Sequence, residues 1–250
     1  MKRLYKNKIV RVLLSAAFWI IVWQAAAWAV GSDLLLPSPI VTGRALFSLA
    51  GTWRFWGSCF STLLRVFAGF LLGMLAGTVL GVLTAVSGLL DALLTPLRSV
   101  VKATPITSFI ILVLLYLTSS LTPMFIAFLM VMPMAWANVA GGILSTDKQL
   151  LEMADTFGFS GWKKLKTVYA PSVLPHFLSA ATTGLGFAWK SGVTAEVIAH
   201  PEFGIGKYIY ESKLYLETPE LFAWTVAVII LSFALEKLVM LVLGRVIKWK

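Results

Sequence analysis

Six long apolar stretches, each about the length that crosses a bilayer as a helix, constrain this chain more than any other feature. They run over residues 9–30, 57–86, 91–117, 123–144, 175–199 and 219–247. A hydrocarbon core about 30 Å thick takes roughly 20 helical residues. Inside it every backbone N–H and C=O needs a partner within the segment, which makes helix the default. The expected fold is therefore all-α: a polytopic membrane protein with six transmembrane helices. The strongly apolar part of the third stretch, 106–117, is too short to cross alone, so it is joined to the residues before it in one span kinked at Pro105. The loop opened by Leu36-Pro37-Ser38-Pro39 is expected to hold a short amphipathic helix over 45–49. Composition agrees: 59% of residues are hydrophobic and 13% charged, against about 45–50% and about 25% in soluble domains. Such a chain needs a lipid bilayer as solvent for part of its surface.

The formal charge of +10 does not point to nucleic acid, because the basic residues are dispersed in short segments between apolar runs. With the N-terminus inside, fourteen Lys and Arg residues fall on the cytoplasmic side and five (Arg44, Arg54, Arg65, Lys207 and Lys213) on the outer side. The inner set comprises Lys2, Arg3, Lys6, Lys8, Arg11, Arg98, Lys102, Lys148, Lys163, Lys164, Lys166, Arg245, Lys248 and Lys250. This is the bias of a membrane protein with both termini cytoplasmic. The basic N-terminus followed by an apolar run reads as an uncleaved anchor rather than a cleaved signal, since 12–30 nearly spans a bilayer. Cys59 is the sole cysteine, which excludes an internal disulfide and a cysteine metal site.

In the second stretch Gly69, Gly73, Gly77 and Gly81 recur every four residues and share one helix face. Glycines there let another backbone approach closely. Two readings follow: packing within the chain, or a seam between subunits.

The longest cytoplasmic loop, 145–174, holds the most information. Thr146 and Gln149 fit a capping box for a helix starting near Asp147. Leu150, Leu151, Ala154 and Phe157 then share a face. Gly158 is placed where a left-handed residue ends a helix. Ser160 caps a second short helix, expected to stop before Pro171. An apolar helical face outside the membrane calls for a partner or for the membrane surface.

The spacing within this loop resembles a known signature. Glu152-Met153-Ala154, three residues, Gly158, nine residues and Val168-Tyr169-Ala170-Pro171 is similar to the Glu-Ala-Ala…Gly…Ile-x-Leu-Pro loop of bacterial ABC importer permeases. Met153 stands where that pattern has Ala, and Ala170 where it has Leu. The resemblance continues through Leu36-Pro37-Ser38-Pro39, Leu64-Arg65-Val66 with Gly69, Asn138 with Gly141 and Gly142, Ala188-Trp189, Ala195-Glu196 and Gly204-Ile205-Gly206. These look like the nitrate/sulfonate/taurine-type permeases.

The resemblance implies a type I ABC importer permease fold, with 1–250 as a single permease domain in the bacterial inner membrane. Two permease copies, expected to be a homodimer, would form the pathway. Each would dock an ABC ATPase through a coupling helix, and an extracytoplasmic binding protein would deliver substrate. Leu151, Glu152, Ala154, Phe157, Gly158 and Pro171 would belong to the coupling loop. The chain itself has no Gly-x-x-x-x-Gly-Lys-Ser/Thr phosphate loop. It is therefore expected to be non-catalytic and to bind no cofactor, with ATP and Mg on the partner ATPase.

Polar residues inside the spans are costly and commonly face a cavity or a partner. Lys190, Glu196 and Asn138 are candidates for a substrate path, Lys190 as counter-ion for a small anionic or zwitterionic solute such as a sulfonate, taurine or nitrate. The structural alternative is that Lys190 snorkels or pairs, Glu196 caps a helix or hydrogen-bonds near the outer interface, and Asn138 bonds between helices. Two rival classes remain. Gly158-Phe159-Ser160-Gly161 matches a rhomboid-type protease motif, but a polar-loop serine is explained by capping and lacks a placed base. An ATP-independent secondary transporter or channel would more often show an internal repeat, and none is evident here.

The topology is testable with reporter fusions. Fusions after Val86 and Ser145 should report cytoplasmic and one after Lys207 external; a cytoplasmic signal at Lys207 would overturn the charge-based orientation.

Overall fold

The computed structural model describes residues 8–246, and every regular element among them is helical. The order is α1 (Lys8–Val30), α2 (Pro39–Ala50), α3 (Trp53–Val86), α4 (Gly88–Ala103), α5 (Ile106–Leu114), α6 (Thr122–Leu144), α7 (Lys148–Thr156), α8 (Gly161–Lys164), a π-helical turn (Leu165–Tyr169), α9 (Ala170–Ala199), α10 (Ile205–Leu214) and α11 (Thr218–Val246). Lys2, Arg3, Lys6, Lys248 and Lys250, all in the expected cytoplasmic set, lie outside the described residues. Local chemistry sets several starts. Ser38 accepts a hydrogen bond from the Val41 amide at 3.3 Å, with Pro39 opening α2. Ser87 separates α3 from α4 and caps the latter through the Leu90 amide.

Among the described residues, α1, α3, α6 and α11 are each long and apolar enough to cross a membrane, and the pair α4–α5 makes a fifth candidate. The expected remaining span, 175–199, lies within the 30-residue α9, which falls short of the others in apolarity. The physical reason is that much of α9 is buried by protein rather than lipid, and it carries Lys190 and Glu196. The third span departs further from expectation. A single span kinked at Pro105 was expected; the chain bends there by 100° between α4 and α5. Thr104, preceding the proline, is extended (φ −76°, ψ 130°), because the prolyl ring disfavours helix in the residue before it. Pro105 is extended as well, and two extended residues turn the axis far more than one missing hydrogen bond does. The helix α10 was not anticipated at all; its mixed composition reads as loop.

By internal contacts the described chain falls into two units. The first joins the chain up to Gly57 with Tyr208–Ile230. It is organised by aromatic rings: buried Trp224 lies 5.2 Å from Tyr208 and 5.1 Å from Phe55, and Trp23 stacks on Phe222 at 6.0 Å. The Trp23 indole donates to the Pro37 carbonyl at 3.1 Å, and the Thr218 hydroxyl to the Leu34 carbonyl at 2.7 Å.

The second unit, Ser58–Lys207 with the chain from Leu231 on, is built around α6. Its buried residues recur along the whole helix, from Thr122 to Gly142, and it pairs extensively with α9. The glycine row of α3 also packs against α6. A Cβ on Gly69 would lie 2.2 Å from the Met124 carbonyl oxygen, one on Gly77 2.4 Å from that of Met132, and those on Gly73 and Gly81 under 3.0 Å from α6 atoms. The row is thus a contact within the chain, where backbone meets backbone.

Overpacking such a seam costs about 1–3 kcal/mol. Gly77→Ala should therefore lower the melting temperature of the detergent-purified protein. Gly141→Ala, which would meet nothing within 4 Å, should leave it unchanged or slightly raised. Equal effects of the two would remove the case for the glycine seam.

Candidate functional site

Two regions concentrate the chemistry. The first is the 145–174 loop. The helix α7 is capped by Asp147, whose carboxylate accepts from the Gln149 amide at 2.8 Å. The expected cap, Thr146, instead donates back to the Gly142 carbonyl at 3.2 Å, still attached to the end of α6. Asp at N-cap also suits the positive end of the helix better than a hydroxyl. Gly158 has φ +65°. Around it the Gly158 amide donates to the Asp155 carbonyl and the Phe159 amide to the Ala154 carbonyl, both at 2.9 Å, a helix ending that requires a left-handed residue. Ser160 caps α8 through the Lys163 amide at 3.4 Å. Asp155 and Lys164 form an ion pair across the bend, and the Lys163 ammonium sits 3.8 Å over the Phe159 ring.

The second helix of the loop does not stop before Pro171, as the sequence suggested. It widens into the π-helical turn and runs directly into α9. A prolyl ring collides with the carbonyl four residues back in a regular helix. Here the turn preceding Pro171 is expanded, and the Ala170 amide bonds to the Leu165 carbonyl five residues back. The expected apolar face also divides. Ala154 is fully buried and Leu151 half-buried, while Phe157 is 73% exposed. Ala154 therefore packs within the chain and cannot present an outward contact. The exposed apolar set is Leu150, Met153, Phe157 and Trp162, the last 74% exposed; sequence reasoning passed over Trp162 because it falls outside the α7 periodicity. Glu152 is exposed.

The second region is a polar knot around Glu196, whose side chain has no exposed surface. One carboxylate oxygen lies 2.8 Å and the other 3.0 Å from the Thr62 hydroxyl. The Gly206 amide donates to the carboxylate at 3.1 Å, and Arg65 pairs with it at 3.2 Å. The Thr62 hydroxyl in turn accepts from the Ile205 amide at 3.0 Å, and Arg65 also donates to the Phe203 carbonyl. Ile205 and Gly206 open α10, so a side chain from α3 and one from α9 satisfy the free amides of a third helix. The chain reaches this position because α9 ends on left-handed His200 (φ 49°) before Pro201. The returning segment passes so close that a Cβ on Gly204 would lie 2.8 Å from the Glu196 carboxyl carbon, and one on Gly206 2.5 Å from the Val193 carbonyl oxygen.

The structure does not bring Lys190, Glu196 and Asn138 together. Lys190 is exposed and lines a cavity of about 230 Å³ between α9 and α11. Asn138 donates to the Met134 carbonyl of its own helix at 2.9 Å, not to another helix. Among the described residues no cluster of metal-binding side chains is found.

The model of the binding-protein-dependent transport system inner membrane component family matches residues 69–248. The chain belongs to that family. This permease is similar to the putative aliphatic sulfonates transport permease protein of Bacillus subtilis, 25% identical over 95% of this chain and 87% of the other. It is also similar to the taurine transport system permease protein of Escherichia coli, 26% identical over 86% and 80%. A chain of a crystal structure of a bacterial ABC transporter involved in import of the acidic polysaccharide alginate superposes with a TM-score of 0.68 at 15% identity, covering 99% of each chain. That likeness establishes the fold. The permease is accordingly an ABC importer subunit, and members of its family are multi-pass transport components of the inner membrane. Three of the short stretches that carried the resemblance in sequence (the one around Arg65, Ala195-Glu196 and Gly204-Ile205-Gly206) meet in the permease as one knot.

Removing one member of a buried ion pair costs about 3–5 kcal/mol, because the other charge is left without compensation. Glu196→Ala should sharply lower the thermal stability and membrane yield of the permease, with Glu196→Gln intermediate. An unchanged melting temperature for Glu196→Ala would show that the knot does not hold these helices.

Proposed function

We propose that this permease is a non-catalytic domain that moves a small anionic or zwitterionic solute, such as a sulfonate, taurine or nitrate, driven by a separate ATPase docked on the 145–174 loop. The single observation that supports the docking reading most is the loop's outward apolar set. Phe157 and Trp162 project on either side of the Gly158 bend, and Asp155–Lys164 holds the bend's two arms together. Large exposed aromatics on a rigid, polar-rimmed loop are the composition of a protein contact. Leu151 and Pro171 belong to the support of this surface, and Glu152 lies on its exposed side.

In this reading both termini are cytoplasmic, and ATP and Mg2+ reside on the ATPase. An extracytoplasmic binding protein delivers the solute, and two copies of the chain form the pathway, since one chain offers one docking loop and an ATPase pair needs two. ATP binding favours one of two permease conformations, and the equilibrium shifts by the difference in affinity of the ATPase pair for the two. The continuous helix from the π-turn into α9 would carry the loop's displacement into the membrane. The sulfonate and taurine relatives support the solute class.

Gly158 meets nothing within 4 Å, so a substitution there acts through backbone strain alone, about 1–2 kcal/mol for a residue with a Cβ. Gly158→Val should insert and purify normally yet recover little ATPase in a pull-down, and Phe157→Asp should do the same. Stimulated hydrolysis in liposomes should fall in parallel. If both variants retain parental assembly and hydrolysis, the loop is not the coupling element.

A further inference from the structure

The C-terminal turns of α3 and α6, with the π-helical turn and the start of α9, enclose a groove of about 430 Å³. Val82 and Val86 of α3, Ile143 of α6, Leu165 of the π-helical turn and Val173 of α9 stand in its wall. Val82, Val86 and Leu165 are exposed, so the groove is open along one side. Its wall carries no charged side chain and two polar ones, Thr78 and Tyr169. The Thr78 hydroxyl is already committed to the Met74 carbonyl of its own helix at 2.7 Å, and Tyr169 is half-buried. A polar solute gains little in such a groove. Along α3 the lining runs from Thr78 to Val86, about 12 Å at about 1.5 Å per residue. One leaflet's share of the hydrocarbon core is about 15 Å, so the groove follows most of the depth of the leaflet on the loop side.

Positive charge is gathered where the groove meets the loop. Lys163, Lys164 and Lys166 fall within four residues, just ahead of Tyr169. Lys164 is committed to Asp155, and Lys163 sits over the Phe159 ring. Lys166 is exposed and forms no ion pair among the described residues. It precedes Tyr169 and Ala170, both in the wall, by about one turn. From there a lysine stem can lie along apolar surface and carry its ammonium to the headgroup level. We propose that the groove binds an acyl chain of an anionic phospholipid from the leaflet on the loop side, with Lys166 meeting the negative headgroup. An acyl chain suits the apolar wall and its length, and a basic residue at the mouth of a groove between spans is how a protein selects an anionic headgroup. A second copy of the chain suits the groove less well. Two copies in one membrane carry their lysines at the same depth, so a contact there brings like charges together. The bound lipid packs against the π-helical turn through which the loop continues into α9.

The test is native mass spectrometry of the full-length permease, delipidated in detergent and titrated with phosphatidylglycerol or phosphatidylcholine of identical acyl chains. The parent should retain phosphatidylglycerol roughly fivefold more tightly, the discrimination one lysine near the headgroup provides. Lys166→Gln should bring the two lipids to about parity while both still bind. Val82→Trp, which places an indole in the groove, should reduce retention of both. Phe233→Trp, at an exposed position outside the groove, should leave retention at the parental level. Parity of the two lipids in the parent, a preference that survives Lys166→Gln, or retention unchanged in Val82→Trp would each overturn the proposal. So would a disulfide-linked dimer of Val82→Cys in a Cys59→Ser background, which would show a second copy in the groove instead of lipid. Should Val82→Trp fail to fold, the exposed Lys166→Gln decides the question alone.

Discussion

A carboxylate with no exposed surface, in a chain that is mostly apolar, has to be met from every side. Glu196 is met by a hydroxyl and a guanidinium from α3 and by an amide from the first turn of α10. Each partner is itself committed: Thr62 also receives the Ile205 amide, and Arg65 also reaches the Phe203 carbonyl. Isolated, any of these groups would be expensive to bury. Together they satisfy the open amides at the start of α10, the charge at the end of α9 and the guanidinium of α3 in one cluster. The position of α10's first turn, the close passage of Gly204 and Gly206, and the left-handed turn at His200 all follow from the need to bring backbone amides to this carboxylate.

A second constraint works through shape rather than charge. The glycine row of α3 removes side chains along one face, so α6 approaches to backbone contact. In a bilayer apolar side chains gain little by leaving lipid for each other, and association depends on close packing and polar bonds. The unit around α6 uses both, glycines against one flank and the Glu196 knot linking α3 to α9. At the other end, the widened turn before Pro171 lets α8 continue into α9 without a break. A loop tied so directly to a helix packed along α6 is mechanically suited to pass on a push from a partner.

The elements that determine function were unevenly legible. The bend at Gly158 was readable because a left-handed residue leaves a local signature, and so was the cap at Ser160. The wrong cap, Thr146 for Asp147, came from two adjacent residues that both qualify; only the attachment of Thr146 to Gly142 separates them. The 100° break after Ala103 was under-read as a kink, because sequence locates the proline but not the extended conformation of the residues around it.

The sequence by itself determined that the chain is helical and membrane-spanning, where most spans lie, and which loop carries the family signature. These are properties of apolar run length, backbone hydrogen bonding in lipid and residue spacing, all local along the chain. Tertiary structure alone decided what the glycine row packs against, that Ala154 faces inward while Phe157 and Trp162 face out, and that Glu196, Thr62 and Arg65 form one knot. It also decided that Lys190 shares a cavity with Glu236 rather than with Glu196. Glu196 lies 131 residues from Arg65 and 134 from Thr62, a separation at which no periodicity carries information. Those pairings follow from how whole helices pack, and the packing is set by the sum of many contacts rather than by any one stretch of sequence.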